Sequence, residues 1–189
     1  RFIMETFQFY TTLGFQRVTD LNGLDHLYFI VALSLPFGIN DWKKLLWWVT
    51  LFTLGHSLSL IGNYYAGYGF SSYWIELLIP MTIAVGCFPL LLQKRPSTNG
   101  FSSVLTFLFG LIHGLGFGRF FAMMVEPDAA IVGLFSFALG VELAQLAIVL
   151  AVLLLNFFIS KRYRFLKFWR LGLGGIIFLL ALVMIVERI

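Results

Sequence analysis

The chain has 189 residues, of which 60% are hydrophobic and only 12% charged, and its mean hydropathy is +0.92. A soluble domain carries about twice that charged fraction, so soluble globular and disordered classes are excluded. The length suits one all-α, polytopic membrane bundle, a single transmembrane domain over residues 1–189.

Arg1 leads directly into a polar-interrupted segment with no evident cleavable signal; a removed signal and a start at Met4 both stay open. Residues 1–18 are too short and polar to span. Ile3, Phe7 and Tyr10 share one helical face, and Glu5, Gln8 and Thr12 another, which predicts an interfacial amphipathic helix. A crossing helix needs about 20 apolar residues. Six stretches supply them or nearly do: 21–39, 45–64, 74–92 with Pro80 and Pro89 inside, the glycine-rich 101–125, 129–160 and 165–186.

Positive residues orient the bundle. The connections after spans one, three and five hold Lys43, Lys44, Lys94, Arg95, Lys161, Arg162, Arg164, Lys167 and Arg170, while the other side holds Arg1, Arg17, Arg119 and Arg188. The first side is expected in the cytoplasm and both termini outside. The net charge of +4 is thus a topology signal with anionic-lipid contact, and no nucleic-acid partner is expected. The single cysteine, Cys87, excludes an internal disulfide and a thiolate cluster.

Ionisable groups inside a span cost roughly 2.5–3.5 kcal/mol each on insertion scales, so the few present need a reason. On this topology Asp25 and His26 open span one at its outer end, and Glu76 opens span three there. At about 1.5 Å per residue, His56 and His113 fall past the midplane toward the outside. Glu142 falls near the middle, with Gln145 one turn deeper on the same face. Imidazole and carboxylate donors without thiolate suit nickel, cobalt, zinc or iron rather than copper(I). Thr53, Ser57, Ser59, Asn63 and Ser136 are placed to support such ligands. Each residue taken alone also has a structural reading, as a hydrogen bond between helices or, for Asp25, a helix cap. Gly110, Gly114 and Gly118 recur every fourth residue around His113, a pattern for close helix approach, with Gly133 and Gly140 marking span five as the expected partner.

These residues carry a resemblance. Asn22-Gly-Leu-Asp25-His26-Leu-Tyr-Phe resembles the G-x-D-H-x-x-F signature of the HupE/UreJ family of hydrogenase and urease accessory membrane proteins. Val49 to Leu60 looks like its V-T-x-F-T-x-x-H-S-x-[ST]-L segment, and Trp74-Ile-Glu76-Leu-Leu-Ile-Pro80 like V-E-x-x-I. Phe109-Gly-Leu-Ile-His113-Gly-Leu-Gly-Phe117 resembles F-G-L-I-H-G-F-G-F, and Leu134 to Leu146 resembles L-F-x-F-N-x-G-V-E-x-x-Q-L. The resemblance covers roughly residues 14–150. It implies a permease-like protein of a bacterial inner membrane linked to nickel or cobalt, with metal handling on Asp25, His26, His56, Glu76, His113, Glu142 and Gln145. The family usually carries a further histidine just before its D-H pair, where this chain reads Gln16-Arg-Val-Thr-Asp20, and an asparagine where it has Ala138.

Two functions follow. In a divalent-metal permease, His26, His56, His113, Asp25 and Glu142 hold nickel or cobalt as substrate, and Glu76, Gln145, Ser57 and Thr53 line the path. In an intramembrane hydrolase the same histidines hold zinc and Asp25 or Glu142 is the general base; no H-E-x-x-H motif accompanies them. Transport is the preferred reading. A non-catalytic subunit of a membrane complex is the third, and a homo-oligomer or complex partner is compatible with all three.

Overall fold

The computed structural model describes residues 2–20, 23–67, 71–93, 100–160 and 163–189. Arg1, Leu21, Asn22, Lys94, Arg95, Lys161 and Arg162, which entered the expectations above, lie outside the described residues, as do the side chains of Arg119 and Arg164. Among the described residues the chain is helical, without strands: α1 (Phe2–Thr19), α2 (Asp25–Ser34), α3 (Trp42–Ala66), α4 (Ser72–Leu91), α5 (Gly100–Met124), α6 (Ala130–Ser160) and α7 (Tyr163–Val186), with 3-10 turns before α3 and α6. Five stretches, ending with α3 to α7, are long and apolar enough to cross a membrane.

The first crossing departs from expectation. The span expected over 21–39 is a helix of only 10 residues, α2, about 15 Å long and too short to cross alone. It cannot begin earlier, because Asp20 and Gly23 form a turn in which Gly23 N–H bonds the Asp20 carbonyl at 3.2 Å. It cannot run on, because Pro36 lacks the N–H that another turn requires. Before it stands α1. This helix does not stand apart as an interfacial segment; it packs lengthwise on α6. A Cβ on Gly14 would overlap the Phe137 carbonyl, and one on Gly140 would overlap the Thr11 carbonyl. Tyr10 is buried and donates to the Met124 carbonyl at 3.1 Å. Contacts advance together along both chains, Tyr10 against Gly133 and Gly14 against Phe137 and Val141, so α1 runs parallel to α6 and in the same sense as a crossing helix. Among the described residues α1 and α2 thus succeed one another beside α6, and neither alone is long and apolar enough to cross a membrane.

The histidine-bearing helices α3 and α5 are also parallel and touch backbone to backbone. A Cβ on Gly110 would overlap the Phe52 carbonyl, one on Gly55 the Phe107 carbonyl, and one on Gly114 Ser59 Oγ and the His56 carbonyl. The fourfold glycine spacing of α5 thus serves α3, whose Gly55 answers it, whereas Gly133 and Gly140 of α6 serve α1. Small residues permit this approach, and dispersion and lipid release then hold helices that have no hydrophobic drive to associate. A left-handed Gly67, φ 60°, ends α3.

Helices α4 and α7 close the side of the bundle antiparallel to each other, Phe88 meeting Phe178 and Leu90 meeting Gly174. Pro80 has no N–H to offer the Glu76 carbonyl, and the Arg188 guanidinium bonds that carbonyl instead. Both chain termini therefore lie at the end where α3 and α5 finish, hereafter the terminal end. The connections after α2, α4 and α6 lie at the other, basic end.

There the short α2 is anchored by Asn156. Its Nδ2 donates to the carbonyls of Leu35 at 3.0 Å and Phe37 at 2.9 Å, and its Oδ1 accepts from Trp169 Nε1 at 3.2 Å. Asn156 is 2% exposed, so no water replaces it. Asn156→Leu is expected to lower unfolding stability in detergent by about 2–3 kcal/mol, the cost of stranding the Leu35 carbonyl and the Trp169 indole N–H, since the Phe37 carbonyl keeps its bond from Arg170 Nη2 at 2.9 Å. An unchanged unfolding midpoint would show that α2 is held by packing alone.

Candidate functional site

The break between α1 and α2 determines where the site lies. It places the start of α2 inside the bundle, at the level of His56 and His113, instead of at the outer end expected for Asp25 and His26. The His26 ring centroid is 5.4 Å from that of His56 and 4.9 Å from that of His113. All three side chains are fully enclosed, at 0–1% exposure. The enclosure is aromatic: Phe29 lies 5.1 Å and Phe52 5.2 Å from His113, and Phe137 stacks on His56 at 6.3 Å.

Two of the rings are held by hydrogen bonds that also fix their protons. The Asp25 carboxylate Oδ1 accepts the His26 backbone N–H at 2.9 Å and faces His26 Nδ1 at 3.2 Å. A carboxylate only accepts, so the imidazole proton sits on Nδ1 and the Nε2 lone pair is free. Asp25, the first residue of α2, thus holds one first-turn amide and orients the ring. Thr82 Oγ1 donates its one proton to the Ile79 carbonyl at 2.7 Å. It must therefore accept from His113 Nε2, at 2.8 Å, which leaves the Nδ1 lone pair of His113 free. Thr82 was not legible as a site residue: it is a single threonine in an apolar run, and only the packing of α4 on α5 aims it. His26 Nε2, His113 Nδ1 and both nitrogens of His56 are buried without a hydrogen-bond partner.

Glu142 and Gln145 form a second group on the basic-end side. Thr50 Oγ1 donates to Glu142 Oε1 at 2.9 Å, and Thr53 Oγ1 lies 3.0 Å from Gln145 Oε1. Thr50 and Thr53 precede His56 on α3 by two turns and one turn, so this pair continues the line of polar groups from the histidines toward the basic end. Glu142 Oε2 and Gln145 Nε2 are buried without a partner.

The other expected residues do not join. Glu76 is exposed at the terminal end of α4, six residues before Thr82. Ser57 is half-buried beside His56. Ser59 donates to the His56 carbonyl at 2.8 Å, and Ser136 to the Val132 carbonyl of its own helix at 2.5 Å. Asn63 packs against Gly118. Cys87 is a buried packing residue. Among the described residues no group of three or more His, Cys, Asp or Glu side chains is arranged to hold a metal ion. The rings are adjacent, and their nitrogens do not converge on one point.

A group sequence reasoning placed elsewhere also borders this site. Arg17, read above as a charge of an outer loop, lies in the last turn of α1 with its guanidinium carbon 5.2 Å from the centre of the Phe117 ring.

No curated protein and no solved structure matches the chain. The family model described as HupE / UreJ protein matches residues 2–188, nearly the whole chain, α1, α2 and α7 included. This multi-pass membrane protein belongs to the HupE/UreJ family.

Proposed function

We propose that the protein is a divalent-metal permease that carries nickel or cobalt across the membrane, with the three histidines as the central binding station. The observation behind this reading is the state of the imidazoles. Three buried rings from three helices leave His26 Nε2, His113 Nδ1 and both His56 nitrogens unpartnered. Each such atom costs about 1–3 kcal/mol if nothing ever satisfies it. A packing role would not repay that cost; a bound metal ion would. Asp25 behind His26 and Thr82 behind His113 are the hydrogen-bond partners that metal-ligating histidines need to fix their tautomers and raise their basicity. Three imidazoles around one ion at ordinary metal–nitrogen distances have centroids about 5 Å apart, near the spacings found for His26.

Ions approach from the terminal end, which the basic residues orient outward. They occupy the histidines and leave past Glu142 and Gln145 toward the basic end. Imidazole nitrogen supplies selectivity for nickel and cobalt over calcium or magnesium. Glu142 supplies negative charge along the exit. Because one member of the cluster, His26, stands at the start of a short helix, loss of a single ligand on movement of α2 suffices to release the ion.

Flux of radiolabelled nickel and cobalt into proteoliposomes tests this. The wild type is expected to carry either ion, and His56→Ala and His113→Ala to abolish uptake at equal protein incorporation. Wild-type flux in both variants removes the path. Stoichiometric zinc retained through purification without flux assigns the hydrolase instead, and metal-free protein that purifies only with another membrane protein assigns the complex subunit.

A further inference from the structure

Arg17 carries a permanent charge at a depth where charge is costly. Helical side chains lie back toward the N-terminus of their helix, and that direction carries its guanidinium toward the terminal end. There it rests on Phe117, 5.2 Å from the ring centre. Phe117 stands one turn beyond His113 on α5 and is buried. It stacks on Phe137 at 5.0 Å with the planes 8° apart, and Phe137 in turn stacks on His56. The guanidinium therefore seats on the aromatic layer that covers the histidines on their terminal-end side. The α1–α2 break makes room for it: a Cβ on Gly23 would stand 2.6 Å from Arg17 Nη1. Its Nε is buried without a hydrogen-bond partner.

We propose that Arg17 is a specificity-determining residue for the histidine cluster: seated on Phe117, it closes the cluster toward the terminal end and opposes every cation that enters from there. The proposal rests on the metal reading above. Sodium, potassium, calcium and magnesium prefer oxygen donors and gain little from imidazole, so nothing offsets the repulsion they meet. Nickel and cobalt gain enough from the three rings to displace the guanidinium. A fixed arginine that raises an electrostatic barrier in a membrane path is an established physical device. Here it also taxes the favoured ions, because its displacement subtracts from their affinity.

The test compares wild type, Arg17→Gln, Arg17→Lys and Gly23→Ala. It reads nickel affinity of the purified protein by calorimetry. It also reads the rate at which diethyl pyrocarbonate modifies the histidines of metal-free protein at one fixed pH. Arg17→Gln is expected to bind nickel about tenfold tighter or more, a usual size for coupling between two sites, and to be modified faster. Arg17→Lys, which keeps the charge, stays near wild type. Gly23→Ala, which unseats the guanidinium without removing it, shifts both readings in the direction of Arg17→Gln. Wild-type affinity and wild-type modification in Arg17→Gln overturn the proposal, as does Arg17→Lys behaving like Arg17→Gln, which would make the role one of packing. If the wild type binds neither nickel nor cobalt, the metal reading falls, and modification alone decides: faster labelling of Arg17→Gln upholds the closure, and unchanged labelling overturns it.

Discussion

Gly114→Ala should lower unfolding stability in detergent by roughly 3 kcal/mol or more, at the upper end of what overpacking costs, and should leave much of the protein aggregated. The added methyl group would overlap Ser59 Oγ and the His56 carbonyl and stand 2.9 Å from the His56 Cα. Two of these neighbours are backbone, so no side-chain rotation relieves the clash and α3 must move away from α5. The damage is not confined to one contact, because Gly110 and Gly118 share the seam, against Phe52 and Asn63. Separation at Gly114 therefore weakens the whole length along which these helices touch, and with it the alignment of His56 with His113. Gly175→Ala is the control, since nothing lies within 4 Å of a Cβ there. It should be neutral or stabilising by about 0.5–1 kcal/mol through helix propensity. Equal stability of the two variants would show that backbone contact is not what holds the histidine helices together.

How far the sequence discloses this arrangement depends on what kind of signal each element leaves. Helices α3 to α7 are visible in hydropathy because each faces lipid for most of its length, and lipid selects long apolar runs. The first crossing leaves no such run. Its α1 half docks through close backbone approach at Gly14 and Gly140 and through scattered apolar side chains, Tyr10, Leu13 and Val18, which are too few and too interrupted by polar residues to form a long apolar run. The polar stretch 20–24 reads in the sequence as a membrane surface, although Asp25 and His26, which follow it directly, are buried beside His56 and His113. That single misplacement explains why Asp25 and His26 were expected at the outer end. His56 and His113 were placed at a common depth correctly by counting residues, because they sit on uninterrupted helices that run the same way. Thr82 and Arg17 were missed for a different reason: each is an ordinary residue whose role comes from a neighbour on another helix, His113 for one and Phe117 for the other. Glu76, drawn in by its outer position and by the resemblance, stands exposed at the terminal end, apart from the histidines. Pro80 in fact acts on the Glu76 backbone, whose carbonyl it frees for Arg188.

The histidine that the start of α2 brings inward should matter most for binding. His26 is the ring that approaches both others, at 5.4 and 4.9 Å, so its loss leaves His56 and His113 without the member that joins them. His26→Ala is expected to weaken nickel binding at least about 100-fold, since even a hydrogen-bond partner behind a ligand is worth 10–100-fold. Thr82→Val, which removes only the partner that orients His113, should cost about tenfold. Stability of the metal-free protein should fall as well, because the enclosed ring and its bond to Asp25 are lost. His26 Nε2 is a buried nitrogen with no partner, and deleting it returns a desolvation penalty of about 1–3 kcal/mol. That gain offsets part of the loss, so a net destabilisation of about 1–3 kcal/mol is expected. A purely structural histidine would lose stability with nickel affinity untouched. Calorimetric titration with nickel beside thermal unfolding without it separates the two roles in one preparation. Unchanged nickel affinity in His26→Ala would remove His26 from the ligand set and leave the cluster a packing motif.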